Sequence, residues 1–237
     1  MTAERSNPGE KASLAVIVAA RNEADVVEST VRAVRRAFPA AAVWVADDAS
    51  EDGTADLAMA AGAQVVSRAR PHGKGANVTA AAEAALGSEP APDLVLLCDG
   101  DLGGSAARLE PLVAAVWGGE CDLAVGAFSQ RVGGGFGIAL GFASWAIRRL
   151  CGFEATAPIS GQRAMRADVL RATLPFASGF GMELGMTVDA VRARYCVAEY
   201  ELDLAHRATG RSLSGFLHRA RQIGDFSRAY LARRRAA

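Results

Sequence analysis

Residues 94–105 read LVLLCDGDLGGS, an apolar run that passes directly into two carboxylates separated by a single glycine. The apolar part, Leu94 to Cys98, is typical of a strand that is buried on both faces. Asp and Gly are also the usual turn residues after any strand, so Asp99 and Asp101 are either a metal site or a polar turn. The rest of the chain has to decide between these two interpretations.

Three similar apolar runs precede this one, and a segment with helical spacing follows each of the four. Alternating strands and helices with short connections favour parallel βαβ units, so we predict an α/β fold with a mostly parallel central sheet flanked by helices. Asn22, with Asp25 three residues later, is predicted to cap the first helix. The predicted strands are residues 14–20, 41–47, 63–68 and 93–99, and the predicted helices are 21–38, 54–62, 75–87 and 105–119.

A polar cluster follows each of these four strands. Ligands of such sheets bind beyond the carboxyl ends of the strands, so four clusters at one edge indicate a site and not an isolated turn. The clusters are Arg21 to Glu23, Asp47 with Asp48, Arg70 to Lys74, and Asp99 with Asp101.

Beyond residue 120 the pattern is less regular. We predict a single domain in which residues 12–120 form a nucleotide-binding half and residues 121–237 an acceptor-binding half. The predicted elements there are a strand at 122–128, a glycine-rich and then amphipathic segment at 133–150, a stretch at 160–170 that leads into a helix, a helix within 179–194, a strand within 195–207 and a terminal helix at 212–235.

The composition is that of a globular protein, with 51% hydrophobic and 22% charged residues. The net charge is zero, but residues 206–237 hold eight arginines and one acid, Asp225. This basic end could contact phosphates or an anionic membrane, or it could be the solvated face of a helix. Nucleic acid is not predicted as a partner, because aromatic and basic residues do not alternate along the chain.

The cysteines and the N-terminus predict a cytoplasmic protein. The four cysteines are far apart without a C-x-x-C pair, which is typical of reduced thiols in the core. The polar N-terminus lacks the apolar centre of a signal peptide. The longest uncharged run, Val132 to Ile147, is shorter than the roughly 20 residues that span a bilayer. The cysteines are Cys98, Cys121, Cys151 and Cys196.

Lys74 stands between two glycines in the stretch GKG, yet neither common phosphate-binding motif is complete there. Arg68 occupies the first glycine position of a Walker A loop, and Gly75 follows the lysine where that loop needs Ser or Thr. Lys74 is one of two lysines in the chain. It is either a ligand of a diphosphate or an ordinary loop lysine.

Asp99 and Asp101 suit a hard divalent cation that takes further oxygen ligands from a diphosphate. His206, at the end of the predicted late strand and beside Arg207, would complete the shell and favour Mn²⁺ as well as Mg²⁺. Such a cation, together with basic residues, would stabilise a departing diphosphate.

Several motifs, in this order, resemble those of family-2-like GT-A glycosyltransferases. In the first half these are VIVAARNEADVV (16–27), VADDASEDGTADLA (45–58), GKGANV (73–78) and LLCDGDLGGS (96–105). In the second half PISGQRAMRADVL (158–170), PFASGFGMELGMTVDA (175–190) and LAHRATGRSL (204–213) resemble glucosyl-3-phosphoglycerate synthases. The stretch SGQRA is also similar to polyprenyl-phosphate mannosyltransferases.

The resemblance implies a donor site in the first half. Ala20, Arg21 and Glu23 would line the base and ribose pocket. Asp48 would hydrogen-bond the pyrimidine, and Lys74 would contact the nucleotide.

The resemblance also implies roles for the acidic residues. Asp101 would be the direct metal ligand, assisted by His206, and Asp99 would lie nearer the ribose or the sugar. Glu183 matches an acidic position that faces the acceptor or the sugar, where it could accept a proton from a hydroxyl. Without the resemblance, the sequence favours the interpretation that Glu183 is a helix N-terminal acid that pairs with the helix dipole.

The predicted function is therefore a metal-dependent glycosyltransferase, specifically a hexosyltransferase, with Mg²⁺ or Mn²⁺ as cofactor. It would transfer a sugar from a UDP- or GDP-linked donor to a hydroxyl or phosphate acceptor. The acceptor would bind at Ser160, Gly161, Arg163 and Arg207.

Three alternatives remain open at the level of the sequence. The first is a polyprenyl-phosphate glycosyltransferase at the inner face of the membrane, which the apolar residues of 136–147 and the following Arg148 and Arg149 would contact. That segment could equally pack on the core or form a homodimer interface. The others are a non-catalytic nucleotide-binding module and a nucleotidyltransferase, although the glycine-rich basic signature of the latter is missing after the first strand.

Overall fold

The computed structural model describes residues 13–128, 137–179, 181–204 and 213–235, without the side chains of 138 and 213–223. Seven strands form one sheet in the order β3-β2-β1-β4-β6-β5-β7. All neighbouring strands are parallel except β6, which runs antiparallel to both β4 and β5. The strands are β1 Leu14–Ala20, β2 Ala42–Asp47, β3 Gln64–Ser67, β4 Leu94–Asp99, β5 Leu123–Phe128, β6 Arg163–Arg166 and β7 Val197–Leu202.

Helices cover both faces of this sheet, as the sequence predicts. A 3-10 segment, Gly100–Leu109, connects β4 directly to the fourth helix. The helices are α1 Val27–Ala37, α2 Thr54–Ala60, α3 Lys74–Leu86, α4 Glu110–Trp117, α5 Gly137–Cys151, α6 Ala167–Thr173, α7 Gly181–Arg192 and α8 Leu213–Arg235.

The prediction that Asn22 caps the first helix is wrong. Helix α1 begins at Val27, and no side chain caps its N-terminus. Asn22 instead has a left-handed backbone with φ of 55°. Its side-chain oxygen accepts the N–H of Glu51 at 3.0 Å, so Asn22 joins two loops instead of opening a helix.

Strand β6 is the element that the sequence pattern does not predict. Its four residues, Arg163 to Arg166, include two arginines and carry no extended apolar run. The strand forms because it fills the gap between β4 and β5, with Leu97 opposite Arg163 and Val125 opposite the same residue. Tertiary pairing therefore overrides a weak local signal.

The central strands are buried on both faces, as their apolar runs predict. In β1, Val16 and Val18 belong to a core that is covered by α1 and α4, whereas Ala15 and Ile17 face a second core under α3 and α6. A third core joins α5, α7 and α8 around residues such as Ile147. The described part of the amphipathic segment predicted at 133–150, residues 137–150, thus packs largely on the protein itself.

The prediction of four core thiols is confirmed in part. All four cysteines are free, and Cys98 and Cys121 are buried, but Cys196 is exposed and Cys151 is half-buried. Among the described helices, none is both long and apolar enough to cross a membrane.

Candidate active site

Asp48 links the ends of the first three strands. Its side chain is buried, and its carboxylate accepts the backbone N–H groups of His72 at 2.8 Å and Gly73 at 3.1 Å. Its own N–H donates to the carbonyl of Ala20 at 3.1 Å. The Arg21 guanidinium lies 3.9 Å from the carboxylate. Three of the residues predicted for the donor site are therefore neighbours.

The loop that carries Glu23 is held by the loop that follows β2. The backbone N–H of Glu23 donates to the hydroxyl of Thr54 at 2.8 Å, and that of Asn22 donates to Ser50 at 2.9 Å. These bonds use the Ser and Thr of the stretch DDASEDGT. The sequence motif after β2 thus serves to fix the loop after β1.

The turn Asp99–Gly100–Asp101, which we call the D-x-D turn, is tightly packed against α1 and the end of β1. The buried hydroxyl of Thr30 donates to the carbonyl of Gly100 at 2.7 Å and accepts the N–H of Gly103 at 2.8 Å. A side chain at Gly100 would stand 3.1 Å from the carbonyl of Ala19. Asp101 therefore projects from a turn whose backbone has little freedom to move.

Lys74 connects two carboxylates that are far apart in sequence. Its amine lies 2.5 Å from Asp99 and 2.8 Å from Glu183. Burial alone would lower the pKa of Lys74, but the charges of Asp99 and Glu183 outweigh it and hold this pKa above its usual range. Lys74 consequently stays protonated and ties the D-x-D turn to the start of α7.

Close backbone approaches place Glu183 beside Lys74. A side chain at Gly75 would stand 1.9 Å from the carbonyl of Ala177, and one at Gly73 would stand 3.5 Å from Gly179. Glu183 lies in the first turn of α7 with only 3% of its surface exposed. The glycines on both sides of Lys74 thus let α3 meet the loop before α7.

Gln162 is a site residue that the sequence prediction missed. Its side chain is 1% exposed and donates to Asp99 at 2.8 Å, and its side-chain oxygen accepts the N–H of Asp99 at 3.1 Å. Beside it, a side chain at Gly161 would stand 2.6 Å from the Lys74 amine. The sequence predicts an acceptor role for Ser160, Gly161 and Arg163 of this stretch, but only the pairing of β6 with β4 reveals the contact of Gln162 with Asp99.

Arg163 and Ser160 lie behind this cluster. Arg163 is fully buried and donates to the Ser160 carbonyl at 2.8 Å and to the Thr187 hydroxyl at 2.9 Å. Burial lowers the pKa of Arg163 to about 10, although Glu183 and Glu199 act in the opposite direction. The contacts of Arg163 are those of a residue that supports the loop before β6, not of one on its surface.

Two predicted residues, His206 and Arg207, lie outside the described residues. The predicted metal shell is thus represented by Asp101 alone, and the predicted acceptor site by Ser160, Gly161 and Arg163.

The chain also matches a known protein family. Residues 15–174 match the model for the glycosyl transferase family 2, which is more than half of the chain. The chain belongs to glycosyl transferase family 2. This family-2 enzyme is therefore a glycosyltransferase, as its motifs predict, although α7 with Glu183 lies beyond the matched region.

Solved structures and a curated relative extend the likeness to the second half. Glucosyl-3-phosphoglycerate synthase from Mycobacterium tuberculosis in complex with Mn²⁺, uridine-diphosphate-glucose and phosphoglyceric acid is 28% identical, with a TM-score of 0.74 over 94% of this chain and 79% of that chain. The same values hold for that synthase with Mg²⁺ and uridine-diphosphate. Undecaprenyl-phosphate mannosyltransferase from Micrococcus luteus is 31% identical over 212 residues, which cover 83% of this chain and 85% of the relative. The predicted GT-A fold is confirmed.

Asp101 is the predicted metal ligand of this family-2 enzyme that lies among the described residues. Asp101 offers the oxygen donor that Mg²⁺ and Mn²⁺ accept. No group of three His, Cys, Asp or Glu side chains that could hold an ion occurs in the described part of the chain. The carboxylate of Asp101 thus fits a divalent cation as one of its ligands.

Proposed function

We propose that this enzyme transfers a sugar from a nucleotide diphosphate sugar, UDP- or GDP-linked, to a hydroxyl or phosphate acceptor in a reaction that depends on Mg²⁺ or Mn²⁺. The observation that carries the proposal is the Lys74 amine, which joins Asp99 of the D-x-D turn to Glu183 at the edge where Asp48 also lies. One edge of the sheet thereby carries a protonated amine, an acid that we assign to the nucleotide base, and a second carboxylate.

The first half is suited to hold the donor. Asp48, Arg21 and Ala20 are in mutual contact, so we assign the base and ribose to this corner, with Glu23 on the adjoining loop. Lys74 would face the diphosphate or the sugar. Because two carboxylates already hold the amine, its position is set before a donor arrives.

Asp101, together with His206, would hold the cation. When bound, the cation supplies Lewis-acid stabilisation of the departing diphosphate. The protein's own contribution is the D-x-D turn, whose backbone is held because the Thr30 hydroxyl bonds to Gly100 and Gly103 on either side of Asp101.

Glu183 is the residue that we assign to the acceptor side. A buried carboxylate can accept a proton from an acceptor hydroxyl or orient it. Its contact with Lys74 keeps it close to Asp99 and so close to the sugar. Ser160 and Gly161 would adjoin the acceptor, with Arg207 as a cation for an acceptor phosphate, whereas the burial of Arg163 favours a supporting role.

The acceptor is proposed to carry a phosphate. This is supported by the similar structures, whose bound molecules include phosphoglyceric acid and glycerol 3-phosphate, and by the curated relative that is described as undecaprenyl-phosphate mannosyltransferase. The arginines of the C-terminal segment agree with such an acceptor.

The test is a product screen with the purified full chain. UDP- and GDP-sugars are combined with 3-phosphoglycerate or a polyprenyl phosphate, in Mn²⁺, in Mg²⁺ or in chelator, and products are identified by mass spectrometry. We expect one donor and one acceptor to give a glycosylated product that the chelator abolishes. Nucleotide binding without turnover across the whole panel would refute the proposal and favour a binding module.

A second candidate, transfer to a lipid-linked phosphate at a membrane, is favoured by one surface. We call it the α5/α8 face: Trp145 and Leu231 are 44% and 48% exposed, and the Trp145 ring contacts Tyr230 with centroids 5.3 Å apart. Aromatic and apolar side chains with flanking arginines are typical of interfacial contact with anionic lipid. The exposed arginines of this face are Arg148, Arg149, Arg234 and Arg235.

Vesicle sedimentation tests this candidate. We expect binding to phosphatidylglycerol vesicles, weaker binding to phosphatidylcholine vesicles, and loss of binding in Trp145→Ser. Trp117→Ser is the matched control, because Trp117 is 48% exposed on α4, away from this face. Equal binding by the two variants would refute the membrane contact. A dimer that Trp145→Ser abolishes in light scattering would instead assign the face to a second copy.

A further inference from the structure

Gln162 carries a buried polar group whose contacts converge on a single residue. A primary amide that leaves water needs hydrogen-bond partners, or its burial is costly. Gln162 finds two of them on Asp99: its Nε2 donates to the Oδ2 at 2.8 Å, and its Oε1 accepts the backbone N–H at 3.1 Å. The amide therefore fixes both the backbone and the carboxylate of Asp99.

The unusual strand β6 is what brings Gln162 to this place. In the antiparallel pair, Leu97 of β4 lies opposite Arg163, the first residue of β6. Gln162, which directly precedes β6, therefore flanks the carboxyl end of β4. The carbonyl of Gln162 also accepts the N–H of Gly126 at 2.8 Å. Its backbone is thus anchored to β5 while its side chain reaches Asp99, and the support is rigid.

We infer that Gln162 is a positioning residue for sugar transfer, which holds the Asp99 carboxylate in place and couples the loop before β6 to the D-x-D turn. One oxygen of Asp99 bonds to Gln162 and the other to the Lys74 amine, which also contacts Glu183. Gln162 is 1% exposed, so it acts through Asp99 and not on the substrate. The kinetic part of this inference rests on the proposed function, while the structural part does not.

Gly161 makes the coupling tight. A side chain at this position would stand 2.7 Å from both oxygens of Asp99 and 2.6 Å from the Lys74 amine. The backbone of the loop before β6 consequently lies directly on the Lys74–Asp99 pair. The loop and the Lys74–Asp99 pair therefore cannot shift independently. This contact ties the loop before β6, which carries the predicted acceptor residues, to the donor side of the site.

The chemistry also explains why an amide is needed here and a carboxylate is not suitable. The cluster holds two carboxylates, Asp99 and Glu183, around one amine. A glutamate at 162 would keep the size of the side chain but remove the Nε2 donor and add a third negative charge beside Asp99. We therefore expect the isosteric Gln162→Glu to be more harmful than the truncation Gln162→Ala.

The test combines crystal structures with kinetics. The variants are Gln162→Ala and Gln162→Glu, and Gln64→Ala is the matched control because Gln64 is exposed on β3. In the structures of Gln162→Ala and Gln162→Glu we expect the Asp99 carboxylate to move by about 1 Å or more, a displacement that can cost about 100-fold in rate. The control should leave Asp99 in place.

In kinetics we expect kcat to fall about 10-fold in Gln162→Ala and about 100-fold in Gln162→Glu. The donor KM and the Kd of UDP with Mn²⁺, measured by calorimetry, should change less than about 3-fold. The reason is that we assign the base and ribose to the corner at Asp48 and not to Asp99. A general structural defect would raise KM and Kd together with the loss of kcat. That pattern, or an unchanged kcat, would overturn the inference.

The two proposals fail in distinguishable ways. If the wild type turns over no nucleotide sugar, the proposed function fails, and the positions of Asp99 and Lys74 in the variant structures still decide the role of Gln162. If Asp99 stays within about 0.5 Å of its place in both Gln162 variants, the positioning role is refuted whatever the reaction is.

Discussion

The first half of the chain brings Asp48, Lys74 and Asp99 to the site from the ends of parallel strands and the start of a helix, whereas the second half brings Gln162 and Glu183 by another route. Gln162 arrives through an antiparallel strand, and Glu183 through a helix that meets the site across glycines. In the first half the order of the strands brings the side chains to one edge of the sheet, as the sequence pattern predicts. In the second half the position depends on backbone contacts that admit no Cβ atom.

This difference means that the halves should respond differently to substitution. Changes to the cluster that joins them should affect both turnover and stability. Changes at glycine contacts should affect mainly stability, and changes in the donor corner should affect mainly donor affinity.

The largest effect is expected at Lys74, where the two halves meet. Lys74→Met removes the positive charge between Asp99 and Glu183, and we expect turnover to fall about 1,000-fold. It also leaves Glu183 buried without its cation, which should lower the free energy of unfolding by about 3 kcal/mol. Denaturant unfolding and turnover with the donor found in the screen check both values.

A double variant separates these two effects. Lys74→Met with Glu183→Gln removes the uncompensated charge, so part of the lost stability should return while turnover stays low. A single Lys74→Met variant that is as stable as the wild type would show that the ion pair does not join the halves.

The next effect compares two helical glycines. Gly75→Ala would place a methyl group 1.9 Å from the Ala177 carbonyl, and we expect a loss of about 3 kcal/mol or more in the free energy of unfolding. Gly141→Ala in α5 meets nothing within 4 Å and should stabilise the protein by about 0.5–1 kcal/mol. Thermal unfolding of both variants checks this contrast, and equal melting temperatures would contradict it.

The smallest effect is expected at Asp48, in the corner that we assign to the base and ribose of the donor. Asp48→Asn removes the charge that accepts the N–H groups of His72 and Gly73, and we expect the donor KM to rise about 10-fold with little change in kcat. Asp56→Asn, an exposed change on α2, is the control. A fall in kcat without a change in KM would show that Asp48 does not bind the nucleotide base.

The sequence predicts the first half well because its signals are local. Each apolar run is one strand, and each polar cluster follows a strand end, so Asp48, Lys74 and Asp99 can be placed on one edge from topology alone. Asn22 is the exception: its capping signal is satisfied by a neighbouring loop, which no local pattern reveals.

The second half is less predictable because its contacts are long-range. Four residues with arginine at each end give no strand pattern, so β6 and the contact of Gln162 with Asp99 remain hidden until β4 and β5 are in place. Arg163 similarly gives no sign of full burial in the sequence. The predicted roles of His206 and Arg207 stay predictions, since both lie outside the described residues.

The most direct measurement of the central claim compares metal-dependent turnover of the wild type with that of Asp101→Ala. Release of the nucleoside diphosphate is followed at several Mn²⁺ concentrations, with Asp56→Ala as the control carboxylate. We predict that Asp101→Ala loses about 1,000-fold in turnover and no longer responds to Mn²⁺, whereas the control behaves as the wild type. Full, metal-dependent turnover by Asp101→Ala would contradict a metal–diphosphate site at the D-x-D turn.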